Sequence, residues 1–157
     1  MARFHYSMQS ILDIKLKMET QAKQDFSAAR AALDREEEIL EQLVKRRQGY
    51  VDRAVQLLSG NLDVQEIEEN KSAILSMDGF IADQKERVAW AEERLEQARM
   101  RLTEVMQERK THENLKEKAF GQFLVEENRR ESKEVDELTS YVYGRRRSEK
   151  NRESAPV

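Results

Sequence analysis

The sequence predicts an all-α protein: a long antiparallel two-helix coiled-coil hairpin with an overhanging C-terminal helix and a disordered tail. Apolar residues in the second half recur at alternating steps of three and four residues, a period that is typical of left-handed coiled coils. Helix breakers are rare, with five Gly and a single Pro, Pro156. Hydrophobic residues make up 38% of the chain, which is lean for a broad core but sufficient for a seam between two helices.

The first helix is predicted at about 7–58, with Ser7 as its N-cap. Its seam is Phe4, Met8, Ile11, Lys15, Met18, Ala22, Phe26, Ala29, Leu33, Glu36, Leu40, Leu43, Arg47, Tyr50, Ala54 and Leu57. The four-residue steps that join Met18, Ala22 and Phe26 predict a stutter, which locally unwinds a supercoil.

A turn at 59–62 separates the helices, because Gly60 can adopt the left-handed conformation that commonly ends a helix. The second helix is predicted at about 63–143, and Asp63 with Glu66 has the spacing of a capping box. So short a connection forces the helices to lie antiparallel, as one hairpin domain. The second seam is Ile67, Asn70, Ile74, Met77, Ile81, Gln84, Val88, Ala91, Leu95, Ala98, Leu102, Val105, Arg109, His112, Lys116, Ala119 and Phe123.

The arms of the hairpin are unequal in length. Folding the chain at the turn brings Phe4 near Lys118, so the second helix should overhang its partner from about Gly121, where a glycine weakens the helix. The residues at 144–157 are polar and lack periodicity, which predicts a disordered tail.

Apolar residues exceed the needs of a two-stranded seam at the open end of the hairpin. They are Met8, Ile11, Leu12, Ile14, Leu16 and Met18, opposite Leu115, Ala119, Phe120, Phe123, Leu124 and Val125. One interpretation is a hydrophobic plug that prevents fraying. The other is insertion into a second protein, since exposed apolar patches mark interaction sites.

Three further large apolar residues, Leu75, Phe80 and Trp90, lie off the seam of the second helix. Isolated apolar residues on a surface need no special explanation. Aromatic residues on a charged helix are nonetheless good candidates for the anchors of a protein interface.

Composition and motifs argue against an enzyme. The net charge of −3 gives no general attraction to nucleic acid, and there is no cysteine. Neither His5 nor His112 belongs to a metal-binding motif, and no phosphate-binding loop or nucleophile elbow occurs. We expect no catalytic residue, cofactor or metal, no nucleic-acid partner and no transmembrane segment.

The two ends of the coiled coil resemble the FliJ family of the flagellar type III export apparatus. The N-terminal resemblance rests on Phe4, Tyr6, Met8, Gln9, Ile11, Leu12, Asp13, Lys15, Glu19 and Ala22. The C-terminal resemblance rests on Glu127, Asn128, Arg129, Arg130, Lys133, Glu134, Asp136 and Glu137. It extends over roughly residues 4–143.

The resemblance implies a soluble protein of the bacterial cytoplasm, peripherally associated with the inner membrane at the flagellar base. It would bind the flagellar export ATPase ring as a stalk, promote ATPase activity, link the ring to the export gate and escort export chaperones. ATPase contacts are expected at Leu12, Leu16, Phe120 and Phe123. Gate contacts are expected at Ala73, Met77, Phe80 and Gln84. The alternative is a structural or regulatory coiled-coil spacer, or the stalk of a related type III secretion system.

Overall fold

The computed structural model describes residues 2–154, which form two α-helices and no strand. Helix α1 spans Gln9–Leu57 and helix α2 spans Val64–Glu153. The helices pack against each other, so the predicted helical hairpin is confirmed. The chain divides into two compact units. We call residues 15–108 the hairpin unit, and residues 2–14 together with 109–154 the terminal unit.

The turn between the helices has the chemistry that the sequence predicts. After α1 ends at Leu57, Gly60 adopts a positive φ of 89°, a conformation that favours glycine. The Asp63 carboxylate then accepts hydrogen bonds from the backbone N–H groups of Gln65 and Glu66, at 3.0 and 3.3 Å. Asp63 is therefore the N-cap of α2.

Both ends away from the turn differ from the predicted bounds. Helix α1 begins at Gln9, two residues later than predicted. Helix α2 passes the predicted end at 143 and continues to Glu153, which corrects the expected tail: residues 144–153 are helical. This segment is rich in Arg, Glu and Lys, which are good helix formers, and the Arg145 side chain pairs with Glu149 one turn later. Residues 155–157 of the predicted tail lie outside the described residues.

Contacts between the helices of the hairpin unit fix their relative direction. They join Arg53 to Glu66 (2.5 Å), Tyr50 to Asn70 (3.1 Å), Arg47 to Asp78 (2.6 Å), Glu36 to Gln84 (2.5 Å) and Lys15 to Glu108 (2.8 Å). Positions on α1 fall as positions on α2 rise, as antiparallel helices require. The two residue numbers of each contacting pair sum to about 120. Two residues of the hairpin unit whose numbers have this sum therefore lie at the same level along the helices.

The predicted seam of α2 is confirmed. Every residue of it, from Ile67 to Phe123, is buried or half-buried. In the hairpin unit the core includes Leu33, Met77, Ala91 and the fully buried Val105. A sustained three-four repeat therefore identifies the buried stripe correctly over the whole length of the pattern.

The seam of α1 departs from the prediction near its start. Glu19 is buried and occupies the position assigned to Met18, so the steps alternate without a stutter from Lys15 through Ala22 and onward. The Glu19 carboxylate lies 3.3 Å from Lys23 one turn later. Because this carboxylate has a cationic partner, its burial costs less than that of an isolated charge.

Charges on the outer faces pair mainly along each helix. Arg99 donates two hydrogen bonds to Glu96, at 2.9 and 2.6 Å. These bonds hold the pKa of the Glu96 carboxyl below its ordinary value and raise that of the Arg99 guanidinium. Both side chains are exposed, so the pair contributes little to stability.

Candidate functional site

An aromatic cluster joins the two chain segments of the terminal unit, residues 2–14 and 109–154. The ring centroid of Phe4 lies 5.1 Å from that of Phe120, in an edge-to-face arrangement, and 5.3 Å from that of Phe123. The rings of Phe120 and Phe123 stack at 6.3 Å. Aromatic pairs at such distances are worth about 0.5–1.5 kcal/mol beyond the area that they bury. The cluster therefore anchors the N-terminal segment on α2.

Much of the remaining apolar surface of this unit stays in contact with water. Up to residue 125, its exposed large apolar residues are Met8, Ile11, Ile14, Leu115, Phe120, Leu124 and Val125. Leu12, in contrast, is only 4% exposed. The seam thus passes through Leu12 rather than through Met8 and Ile11, which corrects the predicted register at the N-terminus. Met8 and Ile11, which lie outside the seam, enlarge the exposed apolar surface.

The four residues predicted to contact the ATPase differ in accessibility. Leu16 and Phe120 are 40% and 44% exposed, Phe123 is half-buried and Leu12 is buried. Leu12, Phe120 and Phe123 belong to the terminal unit, whereas Leu16 belongs to the hairpin unit. A partner could reach Leu16 and Phe120 directly, while Leu12 serves the core.

The four residues predicted to contact the gate also differ in accessibility. Met77 and Gln84 are 6% and 4% exposed, and the Gln84 amide donates hydrogen bonds to the Glu36 carbonyl oxygen (3.0 Å) and carboxylate (2.5 Å). Ala73 is half-buried, and Phe80 is 52% exposed. Only Phe80 offers a large side chain to a partner. Met77 and Gln84 instead fix the helix that carries it.

Sequence reasoning singled out Trp90 but missed the groove beside it. This open groove in the hairpin unit has a volume of about 700 Å³, and Ala28, Ala32 and Trp90 are among its lining residues. Trp90 is 69% exposed. The signal that could have revealed the groove is a pair of alanines, one turn apart on α1, level with an off-seam tryptophan.

Neither described helix contains a stretch that is long and apolar enough to cross a bilayer. Across residues 2–154, no group of three or more acidic or histidine side chains is arranged to hold a metal ion.

The family model described as flagellar FliJ protein matches residues 4–148, nearly the whole chain. The chain belongs to the FliJ family. Membership supports the assignment of the chain as a component of a type III export apparatus. The match includes the first residues after Gly144, in agreement with the continuation of α2 beyond the predicted helix end.

A solved structure provides an independent comparison for this FliJ-family chain. CT670 of Chlamydia trachomatis, described as a proposed YscO homolog, matches with a TM-score of 0.75. The match covers 93% of this chain and 99% of CT670, at 23% sequence identity, and so shows a shared fold. Among curated proteins none matches significantly.

Proposed function

We propose that this FliJ-family protein binds the export ATPase ring as a stalk, promotes ATPase activity and links the ring to the export gate. It does so without catalytic residues or a cofactor of its own, in the cytoplasm at the base of the flagellum. The observation that carries the proposal is the exposed apolar surface around the Phe4–Phe120–Phe123 cluster. Escort of export chaperones is part of the family role, and no described residue is assigned to it.

The terminal unit is the proposed ATPase-binding part. Phe120 lies at the edge of the aromatic cluster with nearly half of its surface open to solvent, so a ring subunit can cover it without unfolding the unit. Leu16, in the hairpin unit, is a second proposed contact. Buried Leu12 and half-buried Phe123 support the site from within.

Stimulation of the ATPase follows from the mismatch between a stalk of two helices and a ring of six identical subunits. Two helices cannot present the same surface to six identical subunits of a ring. Subunits that contact the helices are then biased toward the nucleotide state that fits best, because any shift in population requires a differential affinity. The proposed role therefore needs binding energy and an asymmetric shape, but no chemistry on this chain.

The proposed gate contact is Phe80, with half-buried Ala73 beside it on the same flank of α2. Met77 and Gln84 act indirectly, since they hold α2 against α1. A partly exposed aromatic residue above a rigid, buried seam is a typical anchor for a partner domain.

Substitution of Leu16 by Glu tests the ATPase contact. A carboxylate in an apolar interface loses its hydration without a partner, so Leu16→Glu should weaken stimulation of the purified export ATPase at least about tenfold in the concentration required. Val44→Glu is the matched control, because Val44 is 48% exposed on the same helix. Unchanged stimulation by Leu16→Glu, with helices intact by circular dichroism, would remove Leu16 from the site.

A stalk in a related type III secretion system is the alternative that the fold of CT670 favours. The match to the flagellar family model supports the flagellar assignment over this alternative. Deletion of the gene should abolish motility under the flagellar assignment and leave it intact under the alternative.

A further inference from the structure

One face of the hairpin unit carries a solvent-exposed apolar surface around Trp90, and Phe80 is the one residue on it to which the proposed function gives a role. It combines Trp90 (69% exposed) and Ile39 (42% exposed) with the small side chains of Ala28 and Ala32. A large protruding aromatic side chain and an alanine-lined depression thus lie side by side at one level of the hairpin. We propose that this face binds a second copy of the chain, with Trp90 of each copy seated on Ala28 and Ala32 of the other.

The symmetry of the proposed dimer follows from the position of these residues. A two-fold axis parallel to the helices places α2 of one copy over α1 of its partner and leaves every residue at its own level. Trp90 is level with residues near 30, since paired numbers sum to about 120 in the hairpin unit. Each tryptophan therefore meets the alanines of the other copy, and the interface is self-complementary.

Two pairs of charged residues around this face are complementary under the same operation. Glu86 is level with Arg35, and Arg94 is level with Asp25, and all four are exposed. Glu86 and Arg94 line the groove beside Trp90, and Asp25 and Arg35 lie one heptad from Ala32 and Ala28, on the same stripes of α1. Among the described residues, Glu86, Arg35 and Arg94 form no ion pair within the chain. In the dimer each would face an opposite charge from the partner copy, and symmetry doubles both pairs.

The size of the face sets the expected strength of association. Residues from 25 to 39 on α1 and from 80 to 97 on α2 extend about 25 Å along the hairpin, and two helices are about 20 Å wide. The resulting area of about 500 Å² per copy is below the roughly 800 Å² of a standard interface. The dimer should therefore form only as concentration rises. Because Phe80 is level with Ile39, the dimer also covers Phe80, so the dimer and the proposed gate contact exclude each other.

Trp90 is the only tryptophan in the chain, so its fluorescence reports directly on this interface. Sedimentation equilibrium should show a mass that rises from monomer toward dimer with concentration. The emission of Trp90 should shift to shorter wavelength over the same range, as the indole leaves water. A protein that stays monomeric, or a dimer that leaves the emission unchanged, would overturn the proposal.

Charge reversal tests which residues meet. Glu86→Arg and Arg35→Glu should each weaken dimerisation more than about tenfold, because each places like charges opposite one another twice. The double variant, which restores opposite charges, should recover the dimer. Lys85→Glu, an exposed reversal on the other flank of α2, is the control and should have no effect. Single variants that dimerise like the wild type, or a double variant without rescue, would contradict the proposed pairing.

Discussion

At the scale of single residues, polar side chains within the seam determine how the two helices align. Gln84 is almost fully buried and donates to the backbone carbonyl and the carboxylate of Glu36. Asn70 donates in the same way to the carbonyl oxygen of Tyr50, at 3.1 Å. An apolar seam tolerates a slip of one heptad more easily than these directional bonds do. Polar seam positions are known to specify register at some cost in stability.

Replacement of Gln84 by Ala should lower the free energy of unfolding by about 1–3 kcal/mol, since it removes hydrogen bonds to a charged partner together with buried contacts. Gln97→Ala is the matched control, because Gln97 is exposed on the same helix and should change stability by less than about 0.5 kcal/mol. Urea denaturation at low protein concentration measures both. Equal effects of the two substitutions would show that Gln84 does not bridge the helices.

Substitution of Phe80 distinguishes a role in stability from a role in binding. Because Phe80 is 52% exposed, Phe80→Ala should cost well below the roughly 3–5 kcal/mol of a buried Phe. The same variant should weaken binding to the isolated gate domain by about 2 kcal/mol or more, as expected for an interface anchor. Leu75→Ala is the control: Leu75 is 63% exposed and lies about 140° away around the helix. A large loss of stability with normal binding would make Phe80 a core residue.

At the scale of helices, periodicity predicts most of the fold. The three-four repeat identifies every half-buried or buried position of the α2 seam, and turn chemistry locates Gly60 and Asp63. Apolar character alone misplaces the seam of α1 near its start, because the buried residue there is Glu19, whose carboxylate pairs with Lys23. A search for apolar residues cannot find a seam position occupied by an acid.

The end of α2 was missed for a different physical reason. A polar segment without periodicity predicts a tail, but helix formers continue a helix that is already nucleated, since each added residue gains a hydrogen bond. The candidate contacts were also only partly predictable. The family resemblance places Met77, Phe80 and Gln84 in one set, whereas their exposure, which depends on the rotation of α2 against α1, leaves only Phe80 accessible.

Hydrogen exchange should divide α2 into two regions. Every residue from 128 to 154 is exposed, so this part of the helix gains no stability from packing. Its amides should exchange much faster than those of residues 70–108, which belong to the packed hairpin unit. Peptide-resolved mass spectrometry measures the difference. Equal protection would mean that another surface covers the end of α2 in solution.

At the scale of the whole molecule, the buried core is a narrow seam, and several aromatic residues lie outside it on the surface. Seam residues consume nearly all of the buried apolar area, which leaves Phe120, Phe80 and Trp90 to face solvent. Phe80 and Trp90 lie off the seam, yet they remain on a chain in which only 6% of residues are aromatic. Family membership and this distribution both favour a protein whose purpose is to bind other components of the export apparatus.

Co-purification with the export ATPase tests the central claim most directly. The tagged full chain, recovered from an extract of a flagellated bacterium, should retain the export ATPase. Leu16→Glu should reduce the amount recovered, while Val44→Glu should not. Absence of the ATPase from the purified wild-type chain, with the helices intact by circular dichroism, would contradict the proposal that this protein is the stalk of the export ATPase.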